Sequence, residues 1–399
     1  MNTKKLILAS LPLFLLSITS CSDNDDNQQN SVSVPTTYTF ERSNVTTVDY
    51  SGQSSRLLML EEMGNYIKDQ ATANSVINVT TLTNMYSNSN NAFSTTELNT
   101  SGKQLRDKTA ASRDYFVNLG GGGSTVEQTE VRSFFAAQLE DTNTASQGNT
   151  ASENVAGSYL DGTSTRLFAA NGLEPQQAFL KGMMGACFMD QIVNNYLSTD
   201  VLDGANKENN TNKVLESGKN YTKMEHLWDE AYGYVYGAGG GKYWDSYINQ
   251  VDADADFGTI KEDIELAFRK GRAAIVANNY IVRDAQIAII KSKLALVPAV
   301  RAVYYLKDGK AKLVTDNGAK AFHALSEAYG FIMGIRYTQN PNTNAPYMSK
   351  TEVDNLLADL TGGTNGLWDV DYLNANLDTM ATTIATRFGF TVAQAQTVN

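Results

Sequence analysis

Twelve residues beginning at His226, HLWDEAYGYVYG, return at His323 as HALSEAYGFIMG, and these are the only two histidines in the chain. At an offset of 97 residues, His226 aligns with His323, Glu230 with Glu327, Ala231 with Ala328, Tyr232 with Tyr329, Gly233 with Gly330 and Gly237 with Gly334. Upstream, Asn220 and Lys223 align with Asn317 and Lys320 at the same offset. Agreement on this scale predicts an internal duplication of a helical unit, with repeat phrases at 226–237 and 323–334. Residues four apart share a helix face, so each histidine projects beside its glutamate, and the glycines continue that face. An interior glycine costs about 1 kcal/mol relative to alanine, so a helix that keeps two has another backbone or a bulky group pressed against it.

The rest of the chain repeats the helical period. SSRLLMLEEMGNYIKDQATA places Leu57, Leu60, Gly64 and Ile67 on one face, and STVEQTEVRSFFAAQLED opens with Ser124 and Glu127 in capping-box spacing. The stretches EPQQAFLKGMMGACFMDQIVNNYL, TIKEDIELAFRKGRAAIVAN, IVRDAQIAIIKSKLALVPAVRAVYYL, KTEVDNLLADL and LDTMATTIATRFG carry the same three-to-four spacing. Six prolines leave the helices largely unbroken, with a kink expected at Pro298. Loops rich in Gly, Asn, Ser and Thr lie between, and no alternating run is long enough to predict a sheet. The expected fold is all-α: duplicated antiparallel helical bundles joined by long polar loops.

The first segment, MNTKKLILASLPLFLLSITSC, has two lysines, an apolar run too short to span a membrane, and small residues before Cys21. It reads as a lipoprotein signal peptide over 1–20, with Cys21 as the lipidated residue. Residues 21–37 read as a flexible acidic tether, and 38–399 as a single all-helical domain. The start CSDNDD resembles the export signal of Bacteroidota surface lipoproteins, which implies attachment to outer-membrane lipid through Cys21, facing the periplasm or the cell exterior. Cys187 is then the one cysteine of the mature chain, which leaves no intramolecular disulfide, and its apolar surroundings make it a core residue. A formal charge of −11 without lysine or arginine clusters excludes nucleic acid as a partner.

Two readings stand for the repeated pairs. Each imidazole can donate to a carboxylate inside a helix interface, so that both buried polar groups are satisfied. Alternatively, an imidazole and a carboxylate one turn apart form half of a coordination shell for zinc or iron, and His226, Glu230, His323 and Glu327 together make a two-histidine, two-carboxylate metal site. Glu225 and Asp229 lie alongside as further ligands; if the pairs sit apart, Glu61, Glu62 or Asp190 could complete them. No catalytic residue is assigned: the pattern is not HExxH, and no Ser/His/Asp or Cys/His triad is available. Asp252, Asp254 and Asp256 have the alternate spacing of a calcium loop, but Phe257 stands where glycine is wanted, so an acidic interhelical loop is the expectation. The run LGGGGS, Leu119 to Ser124, lacks the lysine of a phosphate loop and reads as a loop before a helix.

At these residues the chain resembles the imelysin-type proteins, exported all-helical proteins built of duplicated bundles and associated with iron acquisition, whose signature is Gly-x-His-x-x-Glu. Here each glutamate follows its histidine by four residues instead of three, and Met224 and Ala321 stand at the glycine position. The phrases QSSRLLMLEEM, HLWDEAYGY, FRKGRAAIV, VRDAQIAIIKSKLALVPAVRAVYYL and HALSEAYGFI also resemble an uncharacterised Bacteroidota lipoprotein family, over about Tyr38 to Ala395. The resemblances imply a lipid-anchored protein serving iron or other metal uptake, by binding an Fe or Zn ion or haem, or by assisting an outer-membrane uptake receptor. A haem version would wall the group with Tyr232, Tyr234, Tyr329 and Phe331. The competing class is a non-catalytic structural or interaction lipoprotein whose His/Glu pairs only lock helix interfaces.

Overall fold

Where the apolar spacing repeats every three to four residues, the chain coils. The computed structural model describes residues 32–117 and 125–397; the signal peptide, Cys21, most of the tether, the Leu119–Ser124 run and the capping role of Ser124 lie outside the described residues. The helices are α1 (Ser51–Thr72), α2 (Val79–Ser87), α3 (Thr96–Thr100), α4 (Thr125–Ala145), α5 (Pro175–Met183), α6 (Thr199–Leu202), α7 (Ala205–Thr211) and α8 (Lys223–Tyr236). They continue as α9 (Trp244–Asp252), α10 (Ile260–Val276), α11 (Tyr280–Lys312), α12 (Ala319–Ile335), α13 (Lys350–Leu360), α14 (Val370–Phe388) and α15 (Val392–Ala395). Proline at the first turn opens α5, where its missing N–H is no loss. Past Met183 the same helix widens into π turns over Met184–Met189 and Ile192–Tyr196.

The repeated phrases form α8 and α12. A capping box starts α8: Thr222 accepts from the Glu225 N–H, and the Glu225 carboxylate accepts from the Thr222 N–H at 2.8 Å. Gly318, at φ +87°, turns the chain into α12. Between them, α11 runs 33 residues, with Pro298 inside the helix. It packs on α10, α12 and α14, while α12 also packs on α5 and α13, and α8 on α1, α10 and the Ile192–Tyr196 turn. One continuous core fills the space between these helices.

Among the described residues the chain makes two small antiparallel ribbons. One pairs β1 (Glu41–Arg42) with β2 (Val45–Thr46), and the other pairs β3 (Gly157–Asp161) with β4 (Ser164–Phe168). The second runs in register from Gly157 opposite Phe168 to Asp161 opposite Ser164, leaving a two-residue turn whose Gly162 has φ +61°. The described residues from Val32 onward form one compact unit, in which Arg269 Nη1 donates to the Pro35 carbonyl at 2.8 Å. No described helix is long and apolar enough to cross a membrane.

Candidate functional site

The two repeat helices share a set of crossing contacts. A Cβ on Gly233 would stand 2.3 Å from Tyr50 Cβ and 3.1 Å from Gln53 Cβ at the start of α1; a Cβ on Gly330 would stand 2.4 Å from Lys181 Cβ on α5. At each crossing the repeat glutamate meets the residue opposite its glycine. Gln53 Nε2 donates to Glu230 at 2.9 Å, and Lys181 Nζ pairs with Glu327 at 3.1 Å. A tyrosine hydroxyl reaches each carboxylate as well, Tyr196 to Glu230 and Tyr305 to Glu327. The aligned residues Trp228 and Leu325 each lie on a glycine of a neighbouring helix, Gly271 of α10 and Gly309 of α11.

The histidines differ. His323 Nδ1 is 2.7 Å from Glu174 Oε2, on the buried carboxylate just before α5. His226 stacks on Tyr221, with ring centroids 4.6 Å apart; its Nε2 is 3.9 Å from Glu230 Oε2, and its Nδ1 is buried without a hydrogen-bond partner. Burial raises the Glu327 carboxyl, but Lys181, His323 and Tyr305 together hold it below its ordinary value. The four predicted ligands therefore form two separate pairs, each committed to its own crossing. Among the described residues no group of three or more His, Cys, Asp or Glu side chains is placed to hold a metal ion.

The helix-mates of the first pair are used otherwise. The fully buried Arg272 of α10 places Nε 2.9 Å from Asp229 and Nη1 3.3 Å from Glu225. Arg42 reaches Glu225 from β1 at 2.8 Å, and the Tyr38 hydroxyl donates to Asp229 at 2.7 Å. The result is a buried ion cluster binding the N-terminal segment to α8 and α10.

A family model described as a domain of unknown function (DUF4856) matches residues 35–391, which include both repeat helices and all the contacts above. The chain belongs to the DUF4856 family. No curated protein and no solved structure matches it.

In this DUF4856 chain the other acidic candidates also have protein partners. Glu61 pairs with Lys242, and Glu62 accepts from the Ser94 N–H and hydroxyl. Asp252 accepts from the Thr259 and Lys261 N–H groups at the start of α10, while Asp254 and Asp256 accept from Thr397 and Gln394 near the C-terminus. Those three carboxylates thus act as caps and clasps. Cys187 is buried, as its surroundings predict, and burial pushes its thiol up to about 12.

Asp190, between the two π turns, is fully buried and accepts from the N–H groups of Ala111 and Ser112, the Ser112 hydroxyl at 2.5 Å and Asn194. Burial outweighs those hydrogen bonds and pushes its carboxyl up from 3.8 to about 7. The folded DUF4856 chain holds this proton more tightly than the unfolded chain, so the contribution favours folding below about pH 4 and is lost as pH rises through about 7. Asp190→Asn is expected to flatten urea-unfolding stability between those values, by an amount on the order of 4 kcal/mol. An unchanged slope would remove Asp190 as the source.

One feature of the DUF4856 chain depends on tertiary packing and is not evident from helical periodicity. A cavity of about 350 Å³ lies beside α11, lined by Asp114, Ile287, Ala288, Lys291 and Gln339, with Asp200 and Asp284 also on its wall. Lys291 is only 6% exposed, and Gln339 Oε1 is its hydrogen-bond partner. The signal is present in IAIIKSKLALV: Lys291 follows Ile287 by four residues and precedes Leu294 by three, which puts a lysine on the buried stripe.

Proposed function

We propose that this DUF4856 protein is a lipid-anchored, non-catalytic envelope protein, whose repeated His/Glu helices are structural and whose helical body serves binding or interaction at the membrane. The observation that supports this reading is the separate commitment of Glu230 to Gln53, Glu327 to Lys181 and His323 to Glu174. A buried polar group that already has its partner gains nothing from a metal it would have to be pulled away to reach. Anchoring rests on the sequence around Cys21.

The metal-uptake reading implied by the imelysin resemblance keeps one observation in its favour, the partnerless Nδ1 of His226. His226 and Glu230 supply two donors, so the remaining donors of such a site would come from the bound species, as they would in a metal chelate.

Elemental analysis and thermal melting before and after chelation, on the chain from residue 22 onward, separate the two. The expected result is no stoichiometric Fe or Zn and a melting temperature indifferent to the chelator. His323→Ala should cost about 1–3 kcal/mol, because it strips a partner from the buried Glu174. His226→Ala should cost less than about 1 kcal/mol, since it removes mainly a stacking contact. Near-stoichiometric metal that disappears in His226→Ala, together with a lowered melting point, would overturn the structural reading in favour of metal binding.

A further inference from the structure

We propose that the cavity beside α11 is a covalent carrier site, in which the Lys291 amine condenses reversibly with a small, uncharged, hydroxylated aldehyde or ketone. The proposal uses none of the repeat residues, so it stands or falls apart from the structural reading of α8 and α12.

The geometry supplies an amine in an unusual setting. Lys291 lies on the inner stripe of α11, one turn past Ile287, and its amine meets the neutral amide of Gln339 instead of a carboxylate ion pair. Burial pushes its pKa down to about 8, with Asp114 opposing, so at neutral pH much more of it is the free-base nucleophile than of an exposed lysine. Asp114 shares the Gln339 side chain with Lys291, and burial raises its carboxyl despite the hydrogen bond from Ser198 at 2.6 Å. A free amine and a carboxyl that can hold a proton are the two groups that imine formation requires.

The step balances without a co-reactant. The Nζ lone pair attacks the carbonyl carbon and gives a carbinolamine. Its hydroxyl takes a proton, with Asp114 as the group placed to deliver it; water leaves, the C=N bond forms, and Asp114 recovers the proton shed by nitrogen. Hydrolysis runs the same path backwards and releases the ligand unchanged. The wall sets the ligand class: Asp114, Asp200 and Asp284 supply oxygen acceptors for hydroxyl donors, Asp284 is already paired with Arg283 at 2.7 Å, and among the lining residues Lys291 is the single cation, so a phosphate or carboxylate finds no second positive group to hold it.

The test is reductive trapping on the folded chain at pH 7. Glyceraldehyde and cyanoborohydride are added; hydride reduces the imine carbon and locks it as a secondary amine, and peptide mass mapping follows the rate at every lysine. Lys291 should be modified about tenfold faster or more than the exposed Lys68, with tryptic cleavage lost after residue 291. Glyceraldehyde 3-phosphate should label Lys291 severalfold more slowly than glyceraldehyde. Asp114→Asn should slow Lys291 severalfold and leave Lys68 unchanged, while Lys291→Met should lose the fast label and keep its melting temperature. Labelling of Lys291 at or below the Lys68 rate in the wild-type chain would overturn the proposal whether or not either variant folds, and faster labelling by the phosphate would overturn the ligand class.

Discussion

Arg272→Met is expected to lower the unfolding free energy by about 3–5 kcal/mol. Arg272 is wholly buried and meets two buried carboxylates, Asp229 and Glu225, while Nη2 donates to Thr47 at 3.0 Å. Methionine fills much of the same volume, so the loss comes from the charges left behind and not from a cavity. The two acids fare differently. Glu225 keeps Arg42 and the Thr222 N–H, which with Arg272 hold its carboxyl below the ordinary range despite burial. Asp229 keeps Tyr38 and a weaker contact from the Asp49 N–H, and burial already raises it with Arg272 present. Removing the guanidinium raises Asp229 further, so the folded variant takes up a proton there more readily than the unfolded chain. Its deficit should therefore be largest at neutral pH and shrink as pH falls. Adding Asp229→Asn should recover part of the loss, giving a coupling of roughly 1–3 kcal/mol in the double-mutant cycle. Additive losses, or a deficit that does not change with pH, would show that the two side chains do not act as a pair.

The same cluster shows how far the sequence could be read. The phrases HLWDEAYGY and FRKGRAAIV stand out as stretches, and in the fold they interlock: Trp228 lies on Gly271 and donates its indole N–H to the Phe268 carbonyl, while Glu225 and Asp229 close on Arg272. Periodicity reveals helices and the face each residue occupies, because both follow from residues close in sequence. It does not reveal partners. The groups that claim Glu230, Glu327 and His323 come from α1, the α5 helix and α11, chosen by tertiary packing, and so the choice between locking and coordination stayed open. The ten paired residues of the β3–β4 ribbon are too few to set up a period against surrounding loops, and Gly162 at its turn is the one local signal. In sequence, a lysine on an apolar stripe reads as a long stem reaching for solvent, and only the packing of α11 shows that Lys291 is buried.

Gly330→Ala and Gly334→Ala, one turn apart on the same helix and the same chemical change, should have opposite consequences. A Cβ on Gly330 would lie 2.4 Å from Lys181 Cβ and 2.8 Å from the Gly182 backbone nitrogen, and neither atom can move without shifting α5. The expected cost is about 2–3 kcal/mol, net of the gain of up to about 1 kcal/mol that alanine brings to a helix. A Cβ on Gly334 would find its nearest neighbour, Gly185 Cα, at 3.5 Å, an ordinary contact, so that substitution should be neutral to slightly stabilising. The asymmetry continues across the crossing, since a Cβ on Gly185 would stand 2.4 Å from Gly334 Cα and should be as costly as one on Gly330. Displacing α12 from α5 also separates Glu327 from Lys181, so Gly330→Ala should share part of its cost with Lys181→Met. Gly233→Ala, facing Tyr50 at 2.3 Å, should repeat the Gly330 result in the first copy of the unit. Urea unfolding of the four glycine variants, of Lys181→Met and of its double mutant with Gly330→Ala measures all of this, and equal tolerance at 330 and 334 would sink the idea that the repeated glycines are kept for close helix approach. The glycines then explain why the repeat retains residues that weaken a helix: they bring each glutamate within reach of its cross-helix donor, where a wider crossing would leave a buried carboxylate unpaired.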